Sequence, residues 1–422
     1  MFLLFWKIIN LNMRVDYKLN DKLDFWLLIP MLVLLCFGLA GIYSSTLNNH
    51  FAHGNFQKQL FFGVIAIILF FVIYSIPTNT FKYAAIPSYI FSLLLLMAVL
   101  VVGKKTSGAR AWLVLGPLGG FQPAELAKLG TVLAIASFLT KTNVDIENFK
   151  DIAITLAIGL FPVGLILLQP DMGTSFVFFA FILVLIFWKG ISLFGLYLVL
   201  SPGFVAVASL FGIYYFISAI VIVAAGLIYF KKNIFISGSI LAANIGAGFF
   251  AGNVFNILSP HQQKRIESFI NPSADPLGAG YNAIQAKVAI GSGGFLGKGF
   301  LSGNQTQLQY IPEQWTDFIY CVIGEEFGFL GSLIILICFI IIFMRIIKIA
   351  SSTRDEFLSM TLMGIFTIYF THLFINIGMT VGIMPVIGIP LPFVSYGGSS
   401  LVINMMMLGI VANVHRTRKN YT

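Results

Sequence analysis

Residues 303–331 read GNQTQLQYIPEQWTDFIYCVIGEEFGFLG. The first half is polar, and the second half runs into an apolar stretch that must enter a membrane. Asp317 stands at the changeover, four residues after Glu313. A carboxylate there is costly unless it is solvated, paired or used. Thr316 and Asp317 are both able to cap a helix, so spacing alone leaves a structural acid and a functional one equally open.

The rest of the chain supports the membrane reading. Of 422 residues, 58% are hydrophobic and only 10% charged, against roughly 25% charged in a soluble domain. Long apolar runs mean helices, because the strands of a membrane barrel alternate over about ten residues. The expected fold is all-α: a polytopic integral membrane protein forming a single transmembrane domain over 1–422. About twelve spans are expected, near 25–45, 58–76, 82–102, 124–140, 151–168, 173–188, 191–211, 213–230, 234–257, 325–347, 358–382 and 395–414. Segment 191–257 is the hardest to divide, with a kink expected at Ser201-Pro202 and a tight turn at Gly212. Cys36, Cys321 and Cys338 lie in or near apolar runs and suggest no disulfide framework or metal cluster. The net charge of +9 suits a protein among anionic lipids and does not require nucleic acid. Lys7, Arg14, Lys18 and Lys22 precede the first apolar run, and no small-residue cleavage pattern follows it, so that run is expected to be retained.

Charge sets the expected orientation. Placing the N-terminus in the cytoplasm puts 16 of the 25 Lys and Arg residues on that face, and both termini inside. The other nine fall mostly in or beside two extracytoplasmic loops, 103–123 and 258–324. Long loops tolerate charge; they also suit reception of an anionic substrate from the outer leaflet.

In the first loop, Arg110 and Trp112 flank an alternating apolar piece able to lie in the interface. Gln122-Pro123 then opens a helix, with Glu125 in its first turn and Lys128 three residues on, sharing its face. A buried Glu–Lys pair inside a membrane bundle is more often functional than structural, and Arg110 with Lys128 suits a diphosphate. Gln169-Pro170-Asp171 repeats the pattern, and Asp171 reads as a structural acid at a helix start. Gly248 and Gly252 form a GxxxG step that permits close helix packing. In the large loop, residues 261–269 suggest a short surface helix whose Lys264 and Arg265 face phosphates, and 281–290 an amphipathic helix carrying Gln285 and Lys287. The glycines of 291–299 lack the GxxxxGK[ST] pattern and a preceding strand, which argues against a nucleotide loop and for a piece lining a cavity. Ser395 to Ser400 open the last span with hydroxyls and small residues, and His372 and Asn376 lie four apart in the span before it. The other histidines, His50, His53, His261 and His415, show no zinc spacing.

Five stretches together resemble the SEDS family (shape, elongation, division and sporulation): GARAWLVLGPLGGFQPAELAKL (108–129), QPDMGTS (169–175), KRIESFINPSADPLGAGYNAIQAKVAIGSGGFLGKGF (264–300), YIPEQWTDFIYCVIGEEFGFLG (310–331) and GIPLPFVSYGGSS (388–400). They run in the family's order. The resemblance implies an integral membrane peptidoglycan glycosyltransferase that polymerises the lipid-linked disaccharide-pentapeptide lipid II on the outer face of the inner membrane. It implies a class B penicillin-binding protein as partner, beside other elongation-complex membrane proteins. The essential acid of the family's TDF motif falls on Asp317, and its other functional positions fall on Arg110, Trp112, Gln122, Glu125 and Lys128. Two departures stand out. The last loop reads PVIG at 385–388 where division-type members carry PTKG, which favours the elongation branch. The family's usual ten spans are exceeded here by two, within 191–257.

On this reading Asp317 takes a proton from the 4-hydroxyl of one lipid II as it attacks another. The α-linked donor becomes a β-1,4 product, so the transfer inverts and needs one base. Arg110 and Lys128 compensate the departing diphosphate, with Mg²⁺ or Mn²⁺ as a further aid. Lys264, Arg265, Lys287 and Ser395 complete the expected substrate contacts. Glu325 and Glu326, taken to begin the next span, offer either a metal ligand beside Asp317, with Glu325 the candidate, or helix caps. The rivals are a lipid II flippase or other precursor transporter, and a scaffold for the elongation machinery. Short cytoplasmic loops count against transport; a scaffold leaves Glu125, Lys128 and Asp317 unexplained.

Overall fold

The computed structural model describes residues 23–49, 52, 54–106, 109–114, 120–230, 234–257, 263, 269 and 279–417. In chain order the long helices are α1 (Phe25–Thr46), α2 (Asn55–Ser75), α3 (Asn79–Val102), α4 (Pro123–Leu139), α5 (Phe149–Leu167), α6 (Met172–Trp188), α7 (Leu193–Leu210), α8 (Ile213–Tyr229) and α9 (Ile234–Ile257). Three shorter ones follow, α10 (Ala279–Gly293), α11 (Asn304–Gln307) and α12 (Ile319–Glu326), and then α13 (Gly328–Ser352), α14 (Glu356–Val381) and α15 (Gly398–Thr417). Each of the twelve expected spans coincides with one long helix. Seven of these (α1, α2, α3, α5, α13, α14 and α15) are long and apolar enough to cross a membrane, and α6 to α9 are shorter apolar helices. The protein is a polytopic all-α membrane protein.

The helices start where local chemistry stops an extended chain. Asp24 caps α1 by accepting from Trp26 N at 3.1 Å. Asp355 caps α14 through Phe357 N at 3.0 Å and Leu358 N at 3.4 Å. Pro123 occupies the first turn of α4, where its missing N–H has no helical partner to lose. One expectation fails at such a boundary. The span expected from residue 325 starts at Gly328, because Gly328 takes a φ of +65° that breaks the chain between α12 and α13. Glu325 and Glu326 therefore close a short buried helix instead of opening a span.

The main core joins α1 to α6 with α12 to α15. At its centre lies α4, buried along nearly its whole length and packed on α3, α5, α6, α14 and α15. Gly38 of α1 admits a close backbone approach: a Cβ there would lie 2.6 Å from the Val394 carbonyl. The turn before α15 is thus pressed directly onto α1.

Helices α7, α8 and α9, the region of the surplus spans, share a separate small core of Val205, Ala219, Val223, Leu227 and Ile240. Pro202 lies inside α7 and does not end it. The Tyr197 hydroxyl donates to Val223 O at 2.6 Å, and Asn244 Nδ2 donates to Ser201 Oγ at 3.1 Å. Gly248 packs against the Phe216 ring, as its GxxxG step suggests.

The first loop holds a small antiparallel sheet of β1 (Lys104–Thr106), β2 (Ala109–Val114) and β3 (Gly120–Phe121), in the order β1-β2-β3. The expected surface helix at 261–269, with Lys264 and Arg265, lies outside the described residues apart from 263 and 269.

Opposite ends of the bundle differ. At one end Asp24 accepts from Arg345 Nε at 2.8 Å and lies 3.5 Å from His415 Nδ1. The described chain ends therefore meet on one face. The same face carries Lys82–Asp355 and Lys189–Glu356, at 2.8 and 2.6 Å. Asn413 of α15 ties this end together, its Nδ2 reaching the carbonyls of Ile73, Tyr74 and Ile76 at 2.9, 2.9 and 2.6 Å. Replacing Asn413 by Leu removes the donor that part-buried carbonyls at the end of α2 share. The expected loss is about 1–3 kcal/mol, read as a lower unfolding temperature in detergent, with Asn413→Gln less affected than Asn413→Leu.

Candidate active site

The first two turns of α4 hold a charge that apolar surroundings alone cannot support. Lys128, Glu125 and His372 are 1%, 2% and 2% exposed. Lys128 Nζ donates to Glu125 Oε1 at 2.9 Å and faces His372 Nε2 at the same distance. His372 Nδ1 lies 2.9 Å from Pro390 O. A carbonyl only accepts, so Nδ1 carries the imidazole proton and Nε2 accepts from the ammonium. Two of the three N–H donors of Lys128 are engaged this way, and Glu125 Oε2 has no protein partner.

Asp317 stands at the other end of the bundle from Asp24, in the loop between α11 and α12, half-buried. Its backbone is gripped from several sides. Asn376 Nδ2 of α14 donates to Asp317 O at 2.9 Å and to Ile389 O at 2.7 Å. Ser395 Oγ donates to Thr316 O at 2.6 Å, and Tyr396 N donates to Trp315 O at 2.9 Å. Gln314 Nε2 reaches Thr306 O at 2.9 Å and Ser45 O, in the last turn of α1, at 3.2 Å. Phe318 is buried with Ala286 and Ala289 of α10, Ile311 and Cys321. Glu313 and Phe393, on the two segments that meet here, hold φ values of +55° and +65°. Such backbone persists only where surrounding contacts enforce it.

The two adjacent glutamates have different surroundings. Glu325 accepts from Lys298 Nζ, Gln305 N, Thr306 N and Thr306 Oγ1, each at 2.9 Å. Burial pushes its carboxyl up, but Lys298 and these N–H donors outweigh burial and hold it below its ordinary range. Glu326 faces Ser44 Oγ and Gln307 Nε2 and no cation is among its partners; burial pushes its carboxyl up. The oxygens of Glu325, expected as a metal ligand, accept from four donors that anchor α11. Among the described residues no three His, Cys, Asp or Glu side chains form a metal cluster.

The remaining expected residues separate into anchors and exposed groups. Gln122 Nε2 donates to Asp171 Oδ2 at 3.1 Å, while Asp171 caps α6 through Thr174 N at 3.0 Å. Asp171 is a structural acid, as read, and Gln122 ties the starts of α4 and α6 together. The Ser395 hydroxyl, expected at the substrate, also accepts from Leu391 N at 2.8 Å, so it is a brace of the turn. Lys287 is exposed on α10 and lies against Gly382 at the end of α14, where the helix dipole favours a cation. Trp112 is half-buried, its ring 2.8 Å from where a Gly120 Cβ would be, and Arg110 is exposed on β2. Arg110 and Lys128 thus stand in different settings, a surface strand and the buried second turn of α4.

Three groups went unassigned in the sequence: His372, Asn376 and Gln59. Gln59 of α2 donates from Nε2 to Ser395 O at 3.3 Å and accepts from Gly397 N at 3.1 Å. Polar side chains inside otherwise apolar helices were the available signal.

These features define a polytopic membrane protein with a polar site at one end of its bundle, over a buried charge pair. Residues 22–420 match the family model described as FTSW_RODA_SPOVE, cell cycle protein, and the chain belongs to that family. It is 34% identical to peptidoglycan glycosyltransferase MrdB of Escherichia coli K12, covering 94% of each chain. It is 31% identical to peptidoglycan glycosyltransferase RodA of Treponema pallidum, covering 93% of this chain and 97% of the other. Among solved structures it resembles a chain of a peptidoglycan synthase complex, with a TM-score of 0.71, 29% identity and coverage of 94% and 98%. It also resembles rod shape determining protein RodA of Thermus thermophilus, with a TM-score of 0.63, 26% identity and coverage of 95% and 99%.

Glu325→Gln tests the anchor. The amide turns an N–H group toward donors, so part of the α11 cradle loses its acceptor, with an expected loss of about 1–3 kcal/mol. Hydrogen exchange at 304–307 is expected to accelerate. Because the folded carboxyl is held low, the contribution of Glu325 is present above its ordinary range, about pH 4, and is lost as pH falls through the lowered folded value. Wild type should therefore approach the variant at acid pH.

Proposed function

We propose that this protein is a peptidoglycan glycosyltransferase that polymerises lipid II into glycan strands on the outer face of the inner membrane during cell elongation. The observation that carries the reading is the held loop of Asp317. A half-buried carboxylate is fixed by its backbone to the ends of α1 and α14 and to the turn before α15. The named activity of the MrdB and RodA relatives agrees.

Asp317 accepts the proton of the 4-hydroxyl of one lipid-linked sugar as that oxygen forms its bond to the anomeric carbon of another. The bond from that carbon to the diphosphate breaks, and the configuration inverts from α to β. A general base contributes on the order of 10²–10⁴-fold. Arg110, exposed on β2, suits the diphosphate because its fork matches phosphate oxygens. Lys128 adds fixed positive charge deeper in the bundle, and Trp112 stands on the same strand as Arg110, two residues on. Lys264, Arg265 and Lys287 remain proposed as basic contacts along the lipid-facing loop. Were Mg²⁺ or Mn²⁺ bound, Asp317 would be the carboxylate to hold it, and the ion would supply charge compensation for the departing diphosphate.

The proposed partner is a class B penicillin-binding protein, in company with other elongation-complex membrane proteins. The likeness to a chain of a peptidoglycan synthase complex supports it. Both termini are proposed to be cytoplasmic, which places the Asp317 end of the bundle outside.

Asp317→Asn keeps shape and hydrogen bonding but removes the proton acceptor. Lipid II polymerisation is expected to fall by roughly 10²–10⁴-fold with folding intact, across a range of Mg²⁺ and Mn²⁺ concentrations. Near-normal turnover would end the assignment, and rescue at high metal would make Asp317 a ligand. For orientation, a membrane-impermeant thiol reagent applied to intact cells should label Ser302→Cys and spare Asn148→Cys, with Cys36, Cys321 and Cys338 replaced beforehand. The reverse pattern would invert the topology.

A further inference from the structure

His372 has no part in the chemistry above, yet it is a buried polar side chain on a membrane helix at the junction of three segments. Its Nε2 faces the Lys128 ammonium of α4 at 2.9 Å, and its Nδ1 faces Pro390 O in the turn before α15 at 2.9 Å. One helical turn on, Asn376 holds the neighbouring carbonyl of that turn, Ile389 O, and also Asp317 O. One face of α14 therefore joins the central cation to the backbone of the Asp317 loop. The path is Lys128, His372, Pro390, Ile389, Asn376 and Asp317.

We propose that His372 is a positioning residue for glycosyl transfer: as a neutral acceptor it fixes the Lys128 ammonium relative to Asp317. The chemistry follows from the two distances. With Nδ1–H committed to a carbonyl, Nε2 presents a lone pair to the ammonium. A second proton on the ring would place an N–H against a like charge. An ammonium alone against Glu125 would be free to swing on its flexible stem toward either carboxylate oxygen. The second fixed acceptor leaves one N–H of Lys128 with a defined direction. Misplacing a reacting or charge-compensating group by about 1 Å costs on the order of 10²-fold in rate.

This inference rests on the proposed glycosyltransferase reading. Its test is a double-mutant cycle on the full-length protein, assayed by lipid II polymerisation together with a class B penicillin-binding protein. His372→Phe keeps a ring but loses both nitrogens; His372→Gln keeps an amide able to accept and donate. Unfolding temperature in detergent is recorded for each. His372→Phe is expected to lower kcat/KM by on the order of 10- to 100-fold, and His372→Gln to recover part of that loss. In a Lys128→Gln background, where the cation is gone, His372→Phe should cost less than about twofold more, because the two residues act as one unit. A purely structural role would instead give losses that multiply and follow unfolding temperature. Multiplying losses, or no loss in a folded His372→Phe, overturn the role of His372 alone when wild type is active. A folded wild type that makes no polymer overturns the proposed function and this inference with it.

Discussion

The Lys128 ammonium is the constraint around which the bundle is arranged. A buried ion without a partner costs several kcal/mol even after relaxation, and Lys128 is almost fully enclosed. Glu125 on the same helix supplies the countercharge, and His372 on α14 supplies the second acceptor. Neither α4 nor α14 can slide without stripping a partner from the charge. That helps explain why α4, short and not wholly apolar, occupies the middle of the molecule with other helices packed around it.

From this centre the polar contacts run toward one end of the bundle, and they hold backbone more than side chains. Asn376, Ser395 and Gln314 each engage main-chain carbonyls, and Tyr396 donates its own N–H to one. In apolar surroundings an unpaired carbonyl is costly, so each amide or hydroxyl that meets one fixes the position of the loop. Asp317 is thus placed by its neighbours, while its carboxylate stays half-buried at the rim. Glu325 serves the same end from below, as the acceptor that lets α11 form.

The spans were legible because hydropathy and charge act over twenty residues, and each expected span met a helix. Glu125 and Lys128 were legible as a pair because three residues bring side chains to one helix face. Asp171 was legible as a cap from its place after Pro170. What failed was decided by contacts far apart in sequence. Gly328 broke a helix that the apolar run seemed to begin at Glu325. Glu325 met Lys298 and the α11 backbone, and Ser395 met Thr316 and Leu391, so groups read as ligands also brace the loop. The four-residue spacing of His372 and Asn376 put them on one face, but one partner of each, Lys128 and Asp317, lies 244 and 59 residues away. Of the small sheet only the alternation in β2 was read, as an interfacial piece; β1 and β3, with three and two residues, are too short to show a period.

The most direct measurement is the product made by purified protein from purified lipid II, in the presence of a class B penicillin-binding protein whose own cross-linking is blocked. Glycan length is resolved on a gel, and lipid II exposed on each face of reconstituted vesicles is counted in parallel. The account predicts a ladder of glycan strands without net movement of lipid II across the bilayer. Movement of lipid II without any ladder would contradict it and identify a transporter.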